Sequence, residues 1–423
     1  MRPAAVLLAE RDPVLTTEVP GKPDDRTVER WVERRITVIW ALLFFNGLGS
    51  ARGRSLIPIP RGIAQMLTFL ALGVALMLAL GVNRRLMVRP NTVLGLSTVL
   101  VALALMTSVR LQAGPGSLVR SGRFACFVAV LWLLTPWWGR RDMLLVRCHL
   151  RALLWVSVTV LIGLVLSPSG ALSGGVDGRL VGLLWRIPPP QVAEYAAVAS
   201  GLAIVLWLAG SLSRGPALLI GGGGIAMVLL SQTRTAMLGW VAGVICATLT
   251  LLLARRRVRR VLTVMIVATP FLFVAVAPAA STWFTRNQST ERISGLTGRK
   301  QVWDGLLAER RPEFNRWFGR GLSDKSFNGL SIDSTWLAVY RDEGLVGDFL
   351  VGSILLFLLV ASAFRPPGPA RALATFIVVY SIIASYTEVG LGDASPYLLS
   401  IVVAASLLLP EARGEPMLVE HGH

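Results

Sequence analysis

Arginine and carboxylate side chains beside long apolar segments are the residues of this sequence best suited to chemistry. Arg234 lies in the short polar segment SQTRTAMLGW, residues 231–240, between two apolar runs. Arg179 lies in an earlier polar segment, and Asp333 is near the end of the longest one. A guanidinium group binds phosphate through paired hydrogen bonds, and a carboxylate accepts the proton of a hydroxyl group. This set suits binding of a phosphate or pyrophosphate and activation of a hydroxyl, with no metal required.

Other chemistries lack their residues. The only histidines are His149, His421 and His423, and the sequence contains no DxD, HExxH or GxSxG motif. The cysteines have no CxxC spacing, so neither a disulfide framework nor a zinc site is indicated. Gly221–Gly224 and the pair Gly239 and Gly243 are spaced for close helix packing rather than for a nucleotide site.

The composition is that of a membrane protein. The chain has 423 residues, of which 54% are hydrophobic and 16% are charged, and its mean hydropathy is +0.63. Soluble domains carry about a quarter charged residues. The net charge is +18, the cations are almost all arginine, and they lie mainly in short segments between apolar runs, a placement that favours membrane topology and anionic lipid headgroups over nucleic acid.

Twelve apolar runs predict an all-α fold, a polytopic transmembrane helical bundle of about 12 spans. Each run is continuously apolar over about 20 residues, whereas strands of a membrane barrel alternate over about 10 residues. The runs cover residues 36–51, 62–82, 92–109, 121–138, 150–168, 192–212, 216–231, 235–253, 260–279, 344–364, 371–387 and 394–410.

The distribution of arginines predicts which side each connection faces. The most basic short connections, around residues 84–89, 140–151 and 255–260, alternate to the same side as both termini, and such connections are usually cytosolic. We therefore expect a cytosolic N-terminal tail at 1–35 and spans one to nine within 36–280. An extracytoplasmic loop follows at 281–334, then three spans within 335–410 and a cytosolic tail at 411–423.

The long outer loop is expected to be partly helical. Thr297 is placed to cap a helix in which Val302, Trp303 and Leu306 recur at helical spacing, with Pro312 as the stop. The loop is rich in arginine, against the usual trend for outer loops. Either it binds something anionic, or its charges form a solvated, locally paired surface.

Four groups of charges lie near the predicted membrane surface, and each has a simpler alternative. Arg234 is either a ligand-binding residue or a side chain that snorkels to the interface. Arg179 has the alternative of a simple loop charge, and Asp333 that of a helix cap. Glu388 and Asp393, in the last outer loop, are more typical of a solvated turn.

Four segments together resemble the O-antigen ligase and polymerase superfamily. They are GRLVGLL at 178–184, the SQTRTAMLGW turn, LTGRKQVWDGLL at 296–307 and IDSTWLAVYRDEGLVG at 332–347. The resemblance implies a multi-pass glycosyltransferase of the cell (cytoplasmic) membrane. It would polymerise or transfer saccharide units linked to undecaprenyl pyrophosphate on the outer face, with no cofactor. A polysaccharide ligase is the close alternative, and a flippase or a chain-length regulator is an implied protein partner.

The resemblance also implies roles for individual residues. Arg234 matches the turn arginine of the family and Arg179 an earlier outer-loop arginine, both expected to hold the pyrophosphate, with Arg299 and Arg341 as further binding residues. Ligases usually have histidine and asparagine where this chain has Asp333 and Ser334. Asp333 is the candidate base. The glutamate expected before the final Gly-x-x-Gly falls on Asp342.

Two other classes of function stay open. Twelve spans with a charged outer cavity also suit a transporter or lipid flippase. Against transport, no inverted repeat is visible, and the apolar runs are expected to be nearly free of acids, with Glu194 as a partial exception. A structural scaffold is the third class, and its role would not depend on Arg179, Arg234 or Asp333.

Overall fold

A computed structural model describes residues 25–48, 56, 60–140, 143–173, 178–252, 255–264, 283 and 299–409. These residues are mostly helical, as expected for a helical membrane protein. The only sheet among them is a short hairpin in the long loop.

The helices, numbered along the chain, are α1 Asp25–Gly47, α2 Arg61–Val82, α3 Thr92–Ser108, α4 Gly116–Leu133, α5 Leu144–Leu166, α6 Pro168–Ser173, α7 Pro189–Ala209, α8 Arg214–Ser231, α9 Arg234–Leu251, α10 256–264, α11 Arg299–Ala308, α12 Glu313–Phe318, α13 Thr335–Phe364, α14 Pro369–Ala384 and α15 Pro396–Leu408. A turn of 3₁₀-helix covers Thr135–Trp137, and strands β1 Ser326–Phe327 and β2 Leu330–Ser331 form the hairpin.

Seven of the described helices are long and apolar enough to cross a membrane: α2, α4, α5, α7, α8, α9 and α13. Helices α3, α14 and α15 are apolar but shorter. All predicted runs except the ninth overlap one of the helices α1 to α15 over most of their length, and the ninth lies largely outside the described residues. The count of twelve spans therefore stays a prediction. Helix α1 begins at Asp25, inside the segment predicted as a cytosolic tail.

Glycines bring the central helices into close contact. The ring of Phe376 on α14 fills a notch between Gly201 of α7 and Gly243 of α9, where a Cβ atom would lie 1.9 Å and 2.8 Å from it. Tyr380, one turn later, packs on Gly239. Gly221 and Gly224 of α8 pack on α7 in the same way. The prediction that these glycines serve helix packing is confirmed at Gly221, Gly224, Gly239 and Gly243.

Helix α13 is kinked where the end of α12 presses against it. Gly344 has φ +70°, a left-handed conformation inside an otherwise regular helix. A Cβ atom at Gly344 would lie 2.4 Å from the backbone of Trp317, and one at Gly319 would lie 2.2 Å from the carbonyl oxygen of Asp342. The two backbones therefore touch, and this contact fixes the loop against the bundle.

The bundle has two ends that carry different residues. At one end, which we call the Asp333 end, the backbone N–H of Thr335 at the start of α13 donates to the carbonyl of Ser385 after α14, at 3.0 Å. At the opposite end, the Arg371 end, Arg365 after α13 donates to the carbonyl of Leu409 after α15, at 2.9 Å. The arginine distribution predicts the Asp333 end to be extracytoplasmic.

Candidate functional site

Helix α11 lies over the start of α13 and carries Arg299 to the Asp333 end. Val302 and Leu306 on its inner side are buried against Ile332 and Ala338. Trp303 meets the ring of Tyr386 edge-on, with centroids 5.3 Å apart. A helix in this part of the loop is therefore confirmed, although it ends at Ala308, before Pro312. The predicted cap, Thr297, lies outside the described residues.

Asp333 is paired with Arg299. The Nε of Arg299 donates to Oδ2 of Asp333 at 3.3 Å, and the hydroxyl of Ser331 donates to Oδ1 at 2.8 Å. The side chain of Asp333 remains 39% exposed, so an incoming hydroxyl has access to it. The N-cap residue of α13 is Ser334, which makes the helix-cap alternative for Asp333 wrong.

The sequence interpretation named Glu388 but assigned it to a solvated turn rather than to the site. The hydroxyl of Thr335 donates to the backbone carbonyl of Glu388 at 2.6 Å, which places this residue beside Asp333. Its Oε1 atom is buried and has no hydrogen-bond partner among the described residues. A solvated turn is therefore the wrong interpretation of Glu388. Asp393 is the other acid of that turn, and its Oδ1 atom lies 3.7 Å from Nη2 of Arg123.

Burial and neighbouring charges perturb Glu388. Burial raises the pKa of its carboxyl well above the ordinary value, and the carboxylate of Glu194 raises it further, while Arg299 opposes these effects. Asp333 and Arg179 also lie within electrostatic range. Glu388 therefore lies near charged residues from three parts of the chain: Arg299 and Asp333 of the long loop, Arg179 of the segment before α7, and Glu194 of α7.

Arg179 and the Arg234 turn are held together by direct hydrogen bonds. The Nε of Arg179 donates to the carbonyl of Ser231 at 2.8 Å, and its Nη2 donates to the hydroxyl of Thr233 at 3.0 Å. The next backbone N–H, that of Leu180, donates to Leu230 at 3.0 Å. Arg179 is therefore more than a simple loop charge, because it braces the turn from which α9 begins at Arg234. The snorkelling alternative for Arg234 stays open, since this side chain is only partly buried.

Arg341 and Asp342 are engaged by the hairpin. Arg341 donates to the carbonyl of Ser326, and its guanidinium lies 6.0 Å from the centre of the Phe327 ring. The buried carboxylate of Asp342 pairs with Lys325 and accepts the backbone N–H of Ser323 at 3.0 Å. Burial lowers the pKa of Lys325, but Asp342 and the other carboxylates nearby outweigh it, so the net direction is upward. These described contacts make the two residues supports of the loop; none joins Arg341 to Asp333.

Four carboxylates lie inside helices that could cross a membrane: Asp342, described above, and Glu194, Glu343 and Asp348. Glu194 in α7 is 6% exposed. Glu343 in α13 is fully buried, and neither of its two carboxyl oxygens has a hydrogen-bond partner among the described residues. Asp348, five residues after Glu343, has a buried Oδ1 atom that also has no hydrogen-bond partner among the described residues. Glu343 precedes the predicted run 344–364, whereas Asp348 lies inside it, so the expectation that the apolar runs are nearly free of acids fails at Asp348.

The Asp333 end thus combines guanidinium groups from three segments with two carboxylates of unlike environment, the accessible Asp333 and the partly buried Glu388, whose Oε1 atom is enclosed. Among the described residues, no group of three or more histidine, cysteine or acidic side chains is arranged to hold a metal ion. No protein-family model matches the sequence, and no curated protein matches it. The resemblance to the O-antigen ligase and polymerase superfamily therefore stays a prediction.

Proposed function

We propose that the protein is a membrane glycosyltransferase that uses a saccharide linked to a polyprenyl pyrophosphate, and that its reaction occurs at the Asp333 end. The observation that carries this proposal is the convergence of Arg179, Arg299, Asp333 and Glu388. These residues are far apart in the sequence, and the fold brings them together beside the turn that carries Arg234.

The proposed reaction is an inverting displacement. The hydroxyl oxygen of the acceptor sugar attacks the anomeric carbon of the donor and forms the new glycosidic bond. The bond between that carbon and the pyrophosphate oxygen breaks, so the carrier pyrophosphate leaves with the electron pair. Asp333 takes the hydroxyl proton, as a positioned general base does. No external energy source is required, because the pyrophosphate is the leaving group.

The cationic groups would stabilise the negative charge of the leaving pyrophosphate. Arg234 is the first residue of α9, whose N-cap Thr233 makes no side-chain bond to the first-turn amides. A helix N-terminus with uncapped amides attracts anions, and an arginine beside it adds a second donor group. Arg179 fixes this turn, and Arg299 extends the cationic surface toward Asp333.

Deletion of the gene in its host tests the proposal. We expect lipid-linked single repeat units to accumulate and long surface polysaccharide to disappear, as for a polymerase. Full-length chains stranded on the carrier would instead indicate the ligase alternative. Unchanged lipid-linked pools would contradict both. A flippase or chain-length regulator, proposed as a protein partner, would be sought by cross-linking in the same strain.

A transporter or flippase is the second candidate function, and the buried carboxylates Glu194, Glu343 and Asp348 favour it. Such groups inside membrane helices commonly mark substrate or proton pathways. The two functions differ in where the intermediate accumulates after deletion. A flippase leaves lipid-linked saccharide on the inner leaflet, protected from a glycosidase added to spheroplasts, whereas a transferase leaves it accessible outside.

A further inference from the structure

A cavity of about 490 Å³ lies at the Arg371 end, away from the candidate transferase site. Its walls come from the connection between α4 and α5, the connection between α13 and α14, and the end of α15. The 30-residue helix α13 runs from one site to the other, a rise of at most about 45 Å at 1.5 Å per residue. The two sites are therefore separate.

Three arginines from different segments line this cavity: Arg140, Arg365 and Arg371. None of the lining residues that the structure describes is acidic. Nη1 of Arg371 donates to the carbonyl of Arg365 at 3.0 Å, which fixes the orientation of the group. Its Nε is buried and has no hydrogen-bond partner among the described residues. A buried donor without a partner is costly, so a bound acceptor would stabilise this arrangement.

The remaining wall is mostly apolar, with Ser406 as its polar side chain. Leu144, Leu145 and Val146 at the start of α5 and Leu407 near the end of α15 line the cavity and are almost fully buried. Trp137 and Pro369 add further apolar surface. A cavity with three guanidinium groups and an apolar wall matches a molecule with an anionic head and a hydrocarbon portion.

We propose that this cavity binds the phosphate group of an anionic amphiphile, with the arginines holding the phosphate and the α5 and α15 residues contacting the chain. Arginine presents planar paired donors that match phosphate oxygens. The N-terminus of α14, at Pro369, also lines the cavity and favours negative charge. The same phosphate chemistry is found in a phospholipid headgroup and in free inorganic phosphate, and the experiment separates the two. This site does not depend on the proposed glycosyl transfer.

Native mass spectrometry of the full chain in detergent provides the test, with phosphatidylglycerol and inorganic phosphate as probes. We expect phosphatidylglycerol to be retained by the wild-type protein and its affinity to fall about ten- to hundredfold in Arg371→Gln, the effect of losing a charge-assisted hydrogen bond. The matched control is Arg84→Gln. Arg84 is an exposed arginine next to Asn83, which donates to the carbonyl of Leu133 at the same end.

Each outcome of this experiment decides the question. Loss in Arg371→Gln and retention in Arg84→Gln support a lipid headgroup in the cavity. Retention of inorganic phosphate alone, with the same sensitivity, supports the phosphate site but assigns it to a free anion. Equal losses in both variants, or none in Arg371→Gln, overturn the site. Should Arg371→Gln not fold, Arg140→Gln replaces it, and Arg371→Lys tests the need for the planar group.

Discussion

Asp333 and Glu388 are two carboxyl groups within one site, and their surroundings assign them different roles. Asp333 is accessible and balanced by Arg299, whereas Glu388 is partly buried and its Oε1 has no partner among the described residues. A carboxyl group that resists ionisation suits a structural or proton-donating role, and a carboxyl group that an incoming hydroxyl can reach suits a base. The residue-scale predictions follow from this difference.

Asp333→Asn is expected to lower polymer formation by about 10²–10⁴-fold, the usual cost of removing a positioned general base. Complementation of the deletion strain, with surface polysaccharide separated by length, measures the effect. Asp324→Asn is the matched control, since it makes the same change at an exposed aspartate of the same loop. Membrane abundance of both variants should equal that of the wild type. Substantial polymer from Asp333→Asn would refute the assignment.

Arg234→Lys is expected to lower activity by about ten- to hundredfold, because lysine keeps the charge but loses the planar pair of donors. The same assay measures it. Arg214→Lys serves as the control, since Arg214 is an exposed first residue of α8 at the opposite end. If lysine works equally well at position 234, Arg234 is an interfacial anchor and not a pyrophosphate ligand.

Glu388 predicts a pH dependence of stability. Burial, followed by the effect of Glu194, raises its folded-state pKa well above the ordinary value. In the unfolded chain this carboxyl ionises at about pH 4.3. Above that pH the folded state binds more protons than the unfolded state, so stability falls as pH rises through the folded pKa.

Glu388→Gln removes this dependence. Its melting temperature in detergent, relative to that of the wild type, should therefore rise as the pH is raised from about 5 to about 8. Glu313→Gln, at an exposed glutamate of the same end, controls for the loss of a charge. A constant difference in melting temperature across this range would show that Glu388 ionises equally in both states.

Part of this site could be predicted from residue types and spacing, and part could not. The helical spacing of Val302 and Leu306 gave the α11 helix, which places Arg299 near Asp333. The polarity of the last turn gave no sign that Glu388 is partly buried, because the contacts that hold this turn come from Trp303, which packs on Tyr386, and from Thr335, both distant in sequence. The bonds from Arg179 to the Arg234 turn depend on tertiary packing in the same way.

At the scale of helices and loops, the kink in α13 determines where the long loop rests. Gly344→Ala is expected to lower the melting temperature and the folded yield. A non-glycine residue at φ +70° carries strain of about 1–3 kcal/mol, and the added methyl would overlap the backbone of Trp317. Thermal unfolding of the purified protein measures the change.

Gly352→Ala is the matched control in the same helix. A Cβ atom there would have its nearest contact at 3.8 Å from the ring of Trp336, an ordinary distance. Its melting temperature should equal or slightly exceed that of the wild type. Similar losses in both variants would mean that α13 is sensitive to any added side chain, and that the kink has no special role.

The positions of most helices could be predicted from the sequence, but the polar and acidic residues within them could not. Continuous apolar runs predicted α2, α3, α5, α7, α8 and α9 to within a few residues at most of their ends. They did not predict that α13 begins at Thr335, because the polar residues 341–343 interrupt the apolar pattern where the helix continues. Asp348 escaped notice for the opposite reason, since strongly apolar neighbours surround it in the sequence.

For the whole molecule, the two ends of the bundle are expected to face opposite sides of the membrane. The Asp333 end carries the candidate transferase site, and the Arg371 end carries the basic cavity. Arginine-rich connections usually remain cytosolic, so the Arg371 end should face the cytosol. This orientation places an outer-leaflet donor next to Asp333 and cytosolic-leaflet phospholipids next to Arg371.

Cysteine accessibility in spheroplasts tests this orientation, in a background where Cys126, Cys148 and Cys246 are replaced. Leu330→Cys, at a hairpin position that is 51% exposed, should react with a membrane-impermeant maleimide without lysis. Arg84→Cys, at an exposed position of the opposite end, should react only after the membrane is opened. The reverse pattern would invert the molecule and place the candidate transferase site in the cytosol, where the proposed outer-face reaction could not occur. Reaction of both cysteines before lysis would contradict the spanning arrangement itself, because a membrane-embedded bundle must shield one end from an impermeant reagent.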